Sequence, residues 1–181
     1  MHSLVLRRTT TSRWVRVLGI LVFAIAMAVS ARVSVVTPLS PVPLTFQVLV
    51  VVLSGFMLGA RDGFIAQLLY LQAILLGAPL TATGLAGPLA FASPTAGYLI
   101  AFPAAAALAG WLSQHNTSLR PLWRALGGLG ALAVIYTLGM VWLSAFVGGL
   151  GNSWKLGVLP FVGVDVLKVV LATAILSVRR R

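Results

Sequence analysis

"LTFQVLVVVLSGFMLGARDGFIAQLLYLQAILL", residues 44–76, consists of two apolar runs either side of a short polar break. The break, "GARDG" at 59–63, puts Arg61 and Asp62 between two glycines, the composition of a tight turn. The reading is two helices, about 44–58 and 62–77, joined by that turn. Each is short for a bilayer crossing, which implies tilt or shielding by neighbours.

The rest of the chain follows the same pattern. Of 181 residues, 60% are hydrophobic and 8% charged. A soluble domain is nearer a quarter charged and has no means of hiding so much apolar surface. The expected class is an all-α integral membrane protein forming one domain, residues 1–181, with spans at about 17–36, 44–58, 62–77, 94–112, 121–147 and 158–178. Residues 1–16 form a basic N-terminal segment. Basic n-region, apolar run and Ala26-Met27-Ala28 also fit a signal peptide, but the run exceeds a usual h-region, so a retained span is favoured.

The connections are rich in breakers. "TPLSPVPLT" (37–45) holds three prolines and reads as a loop. Residues 77–95 read as a compact irregular loop. Ser93 suits a helix N-cap and Pro94 the first helical position after it. "GGLGNSWK" (148–155) reads as a turn.

The net charge of +11 could suggest a nucleic-acid partner. The basic residues instead sit in small groups at the ends of apolar runs, without a basic face, so no nucleic-acid partner is expected. Arg7, Arg8, Arg13, Arg16, Arg61, Arg120, Arg124 and Arg179–Arg181 fall on one side of a six-span arrangement. Arg32 and Lys155 lie near the other face. The positive-inside rule makes both termini cytoplasmic. The expected location is a bacterial-type cytoplasmic (inner) membrane, crossed several times. Loops 37–45, 77–94 and 148–157 then share the outer side.

Two charges fall inside the last apolar run: Asp165 and Lys168 in "FVGVDVLKVVLA" (161–172). At i and i+3 they share a helix face. With a helix starting near Val158 they would lie about 10–15 Å along it at 1.5 Å per residue. Ionisable groups at such depth are costly and mark a site that faces the bundle interior. A structural, self-neutralising pair is the plainer alternative. Asp accepts N–H groups and Lys donates, so the fitting ligand is a small molecule with an N–H-bearing group and an acceptor or carboxylate. The helix N-terminus at Thr95 would add free backbone N–H groups.

Several chemistries lack their residues. There is no cysteine, no G-x-x-x-x-G-K-[ST], no H-E-x-x-H and no G-x-S-x-G. His2 and His115 stand in a tail and a loop. Transport or binding is expected rather than catalysis, with no metal, no catalytic residue, no cofactor and no ATP site in this chain. Ala24-x-x-x-Ala28 is a small-x-x-x-small pattern that suits either internal packing or docking of a partner helix.

"PVPLTFQVLVVVLSGFMLGARDG", "YLQAILLGAP", "SPTAGYL" and "FVGVDVLK" resemble, in order and spacing, the BioY family: the biotin-specific substrate-binding (S) components of energy-coupling-factor transporters. The resemblance covers about residues 20–176. It implies a six-transmembrane-helix S-component bundle with one outward-facing biotin site, working with a coupling subunit and a pair of ATPases. Its DxxK pair maps onto Asp165 and Lys168. Asp165 would accept a ureido N–H; Lys168 would donate to the ureido carbonyl or pair with the valerate carboxylate. The PVPxTxQ loop maps onto Pro41, Val42, Pro43, Thr45 and Gln47. The PTxGY element maps onto Pro94, Thr95, Gly97 and Tyr98, the last a ligand contact or an interfacial anchor. The family often has Gly-Pro-Thr-Gly-Gly-Tyr where this chain has Ser93-Pro94-Thr95-Ala96-Gly97-Tyr98. Its preceding loop is usually richer in glycine. Here "PLTATGLAG" offers Thr81 and Thr83, and Thr83 is taken as the candidate. Competing readings are an S component for another vitamin or a biotin precursor, a membrane enzyme using Asp165 as base, and a structural subunit.

Overall fold

The computed structural model describes residues 12–38, 40–115 and 119–178. Helix α1 (Arg13–Arg32) leads into a strap whose ends pair as β1 (Ser34–Val35) and β2 (Leu44–Thr45), antiparallel, with Ser34 opposite Thr45. There follow α2 (Gln47–Leu75), the short α3 (Gly87–Phe91), α4 (Ala96–Ser113), α5 (Arg120–Val147), the short α6 (Leu150–Gly157) and α7 (Val162–Val178). Among the described residues α1, α2, α4 and α5 are each long and apolar enough to cross a membrane. The pair α6 and α7, bent by 55°, adds a fifth candidate if counted as one span.

Helix α2 is not one rod. Gly59 has φ 84° and ψ 178°, a conformation open in practice to glycine alone. A straight helix would put residues 47 and 70 about 34 Å apart. Instead Gln47 Nε2 donates to the Tyr70 hydroxyl at 3.0 Å, and Gln67 Nε2 donates to Ser54 Oγ at 2.9 Å. The two arms, 47–58 and 60–75, therefore fold back against each other. A Cβ on Gly63 would lie 3.1 Å from Gly55 Cα, so the arms touch backbone to backbone. Arg16 closes the turn from outside, its guanidinium donating to both Asp62 carboxylate oxygens at 2.7 and 2.8 Å.

Lipid offers little hydrophobic drive between helices, so packing rests on close approach of small residues. Glycines and alanines supply it. A Cβ on Gly55 would collide with the Ala106 carbonyl oxygen of α4. The core lies between α2, α4 and α5 around Val51, Val52, Tyr70, Ile74, Leu99 and Ile135, while Leu18, Ile25, Leu167 and Val170 point outward. Ala24 and Ala28 are half-buried against the core, along a shallow groove with Leu69, Tyr70 and Ala73 of α2.

Three local expectations change. Residues 150–157 form a helix, not a turn. The α4 N-cap is Thr95 rather than Ser93, whose hydroxyl instead donates to the Ala90 carbonyl at the end of α3. And α7 begins at Val162, four residues later than expected, because 158–161 turn through the elbow after α6. Arg7, Arg8 and Arg179–Arg181 lie outside the described residues.

The glycine contacts generate a prediction. Gly55→Val places a branched side chain against the α4 backbone and should destabilise the fold by about 1–3 kcal/mol. Leu68→Ala, at a half-exposed outward position, should cost less. Thermal unfolding in detergent compares the two.

Candidate functional site

The ends of the bundle differ. One carries the Gly59 turn, the start of α5 and the end of α4. The other gathers the strap, the 76–95 connection, α6 and the first turns of α7. At this second end lies a narrow cavity walled by the strap, the 76–95 connection, α2, α4, α5 and α7. Its walls stand close enough to touch a small ligand on several sides.

Asp165 and Lys168 line it from α7. They are 4% and 6% exposed, so water does little to solvate their charges. Asp165 stands in the first turn of α7, where the partial positive charge of the helix N-terminus favours an anion. Because α7 starts at Val162, Asp165 is only about 4–5 Å along the helix and Lys168 about 9 Å, shallower than expected. Their burial comes from the strap and the neighbouring helices rather than from depth along the span.

Both charges have partners. Lys168 Nζ donates to Asp165 Oδ1 at 2.7 Å and to the Thr45 carbonyl at 2.6 Å, and it stands 5.9 Å from the centre of the Phe46 ring. The Tyr136 hydroxyl of α5 donates to Asp165 Oδ2 at 2.6 Å. Three segments far apart in sequence therefore meet on one ion pair.

The other expected residues divide. Thr45, Gln47, Thr95 and Tyr98 all line the cavity. Thr45 Oγ1 donates to Gln47 Oε1 and accepts the Gln47 amide, each at 3.2 Å. From Gln47 the chain of bonds runs through the Tyr70 hydroxyl to the Leu80 carbonyl at 3.0 Å, tying the strap to the 76–86 loop. Thr95 Oγ1 lies 3.0 Å from Ser93 Oγ. The Ala96 amide is turned onto the Ser93 carbonyl, so that N–H is not free for a ligand. Tyr98 is a buried tie as well as a wall: its ring lies against Gly139 and its hydroxyl donates to the Gly157 carbonyl at 2.9 Å. That replaces the interfacial-anchor reading.

Thr83 does not reach the cavity. It is exposed, with Oγ1 3.4 Å from that of Thr81. The buried Thr81 lines the cavity instead, its hydroxyl donating to the Leu85 carbonyl at 2.8 Å. The sequence reading missed Tyr136 and Tyr70. The available signal was that every tyrosine of the chain falls inside an apolar run, where a phenol hydroxyl needs a partner.

Removing half of a buried pair strands the other half. Asp165→Ala should destabilise the ligand-free protein by about 3–5 kcal/mol, and Asp165→Leu with Lys168→Met by much less. Thermal unfolding in detergent measures both; an equal cost would show that the charges are not coupled.

Comparison with known proteins follows the same lines. A family model described as "BioY family" matches residues 6–181. The "Probable biotin transporter BioY" of Pyrococcus horikoshii is 41% identical over 159 residues, 87% of this chain and 90% of that protein. The "Biotin transporter BioY" of Thermotoga maritima is 34% identical over 154 residues, 85% and 89% respectively. Among solved structures, the S-component for biotin from an ECF-type ABC transporter superposes with a TM-score of 0.81 at 21% identity, over 94% of this chain and 95% of that one. At that identity the likeness speaks to the fold.

Proposed function

The chain belongs to the BioY family, and from that premise we propose that it is the biotin-binding S component of an energy-coupling-factor transporter, a carrier rather than an enzyme. The observation that carries the reading is the buried Asp165–Lys168 pair on the wall of a slot-like cavity. A cyclic urea presents N–H donors beside a carbonyl acceptor; Asp165 supplies the acceptor and Lys168 the donor at one helical turn's spacing. Apolar walls from Val42, Leu99, Phe102 and Ile135 suit the rest of a small, largely hydrocarbon ligand.

Counting the two arms of α2 as separate crossings, with α1, α4, α5 and α7, gives six and puts residues 12 and 178 on one side. Arg13, Arg16, Arg61, Arg120 and Arg124 lie at that end, which supports reading it as the cytoplasmic one in a bacterial-type inner membrane. The cavity then faces outward, where the vitamin arrives. Energy would come from partner subunits, a membrane coupling protein and ATPases, since this chain has no phosphate-binding loop. Ala24 and Ala28 mark the α1 face on which a helix of the coupling subunit would pack.

Calorimetry on the detergent-purified chain tests this. Biotin should bind, and Asp165→Asn or Lys168→Ala should weaken it about 30-fold or more, as expected for one lost partner of a buried pair. A well-folded protein giving no heat with biotin, or preferring dethiobiotin in competition, would overturn the assignment.

A further inference from the structure

We propose that Tyr136 is a positioning residue that, acting through Asp165, sets the cavity's preference for a neutral N–H donor over a cationic one. The inference rests on the biotin reading and goes beyond it. A carboxylate bound only within its own helix has a broad, soft last torsion. Asp165 does not have that freedom. Oδ1 is held by Lys168 of the same helix at 2.7 Å, and Oδ2 by Tyr136 of α5 at 2.6 Å. The second bond spans 29 residues and fixes the carboxylate plane relative to the bundle, not merely to α7.

Charge gives the preference its sign. Lys168 already balances the one negative charge at the site, and the Tyr136 hydroxyl draws density from the oxygen that Lys168 leaves open. The remaining lone pairs suit the N–H of a urea. They are poorly matched to a guanidinium, which would bring a second cation beside the Lys168 ammonium in a largely buried pocket. Without the hydroxyl, Asp165 Oδ2 regains its full acceptor strength and the penalty on a cation falls.

The test uses the full chain in detergent, with biotin and with 2-iminobiotin at a pH where its guanidine is protonated. Wild type should prefer biotin. Tyr136→Phe keeps the ring and should lower biotin affinity about tenfold while cutting the preference by a similar factor. In an Asp165→Ala background the same change should alter biotin affinity less than about twofold. Equal loss for both ligands, or the same loss in both backgrounds, would reduce Tyr136 to a packing residue and overturn the proposal.

A ligand-free measurement separates this from failure of the biotin reading. The chain has two acidic side chains, Asp62 and Asp165. Its infrared carboxylate region is therefore simple, and Asp165→Asn identifies one band. Tyr136→Phe should move that band. If wild type binds no biotin, the proposed function fails while the band still decides the Tyr136–Asp165 coupling. An unmoved band overturns it.

Discussion

The Lys168 ammonium is the joint on which the site depends. It bonds the Asp165 carboxylate on its own helix and the Thr45 carbonyl, 123 residues earlier. The second bond is to main chain, so it holds the strap itself rather than one side chain of it. A charge in surroundings this dry must be satisfied, and the acceptors available lie on different parts of the chain. Satisfying it draws the last helix, the strap and the start of α2 together, and the cavity is the space left between them. The stability of the ion pair and the shape of the pocket are therefore one physical fact.

Much of this was legible in the sequence because the strongest signals were costs. An Asp and a Lys in an apolar run have few tolerable environments, so residues 165 and 168 pointed to an enclosed site before any geometry was known. Two glycines around Arg61 and Asp62 likewise announced the reversal that Gly59 makes. What escaped notice depended on small shifts of register. The elbow before Val162 moved Asp165 from mid-helix to a first turn, and no local pattern in "GVLPFV" distinguished the two. Thr81 and Thr83 look alike in a loop, yet one is buried and the other exposed; the choice is made by which hydroxyl finds the Leu85 carbonyl. Tyr136 carried only a weak signal, because a lone tyrosine in a span has several ordinary uses.

The polar residues of the strap end also form a single connected system rather than separate contacts. Gln47 accepts from Thr45 and donates to Tyr70, and Tyr70 donates to the Leu80 carbonyl. Arg32, the last residue of α1, donates to the Pro79 carbonyl beside it. The strap and the 76–86 loop are thus held by donors rooted in three helical segments. Such an arrangement lets a cover of short, proline-rich backbone keep a definite shape without a core of its own.

The bonds made to α6 have a different character. Ser40 Oγ donates to the Leu156 carbonyl at 2.6 Å, and Tyr98 to the Gly157 carbonyl. Both acceptors belong to the peptide backbone at the helix's C-terminal end, where carbonyls lack intrahelical partners. No amino-acid replacement deletes a carbonyl. The Ser40 tie is therefore vulnerable to substitution on the donor side, whereas the Tyr98 tie is vulnerable at both ends, because a Cβ on Gly157 would collide with the Tyr98 hydroxyl. Exposed α6 positions such as Leu150 and Trp154 are left free to drift toward whatever headgroups or partner surfaces they meet.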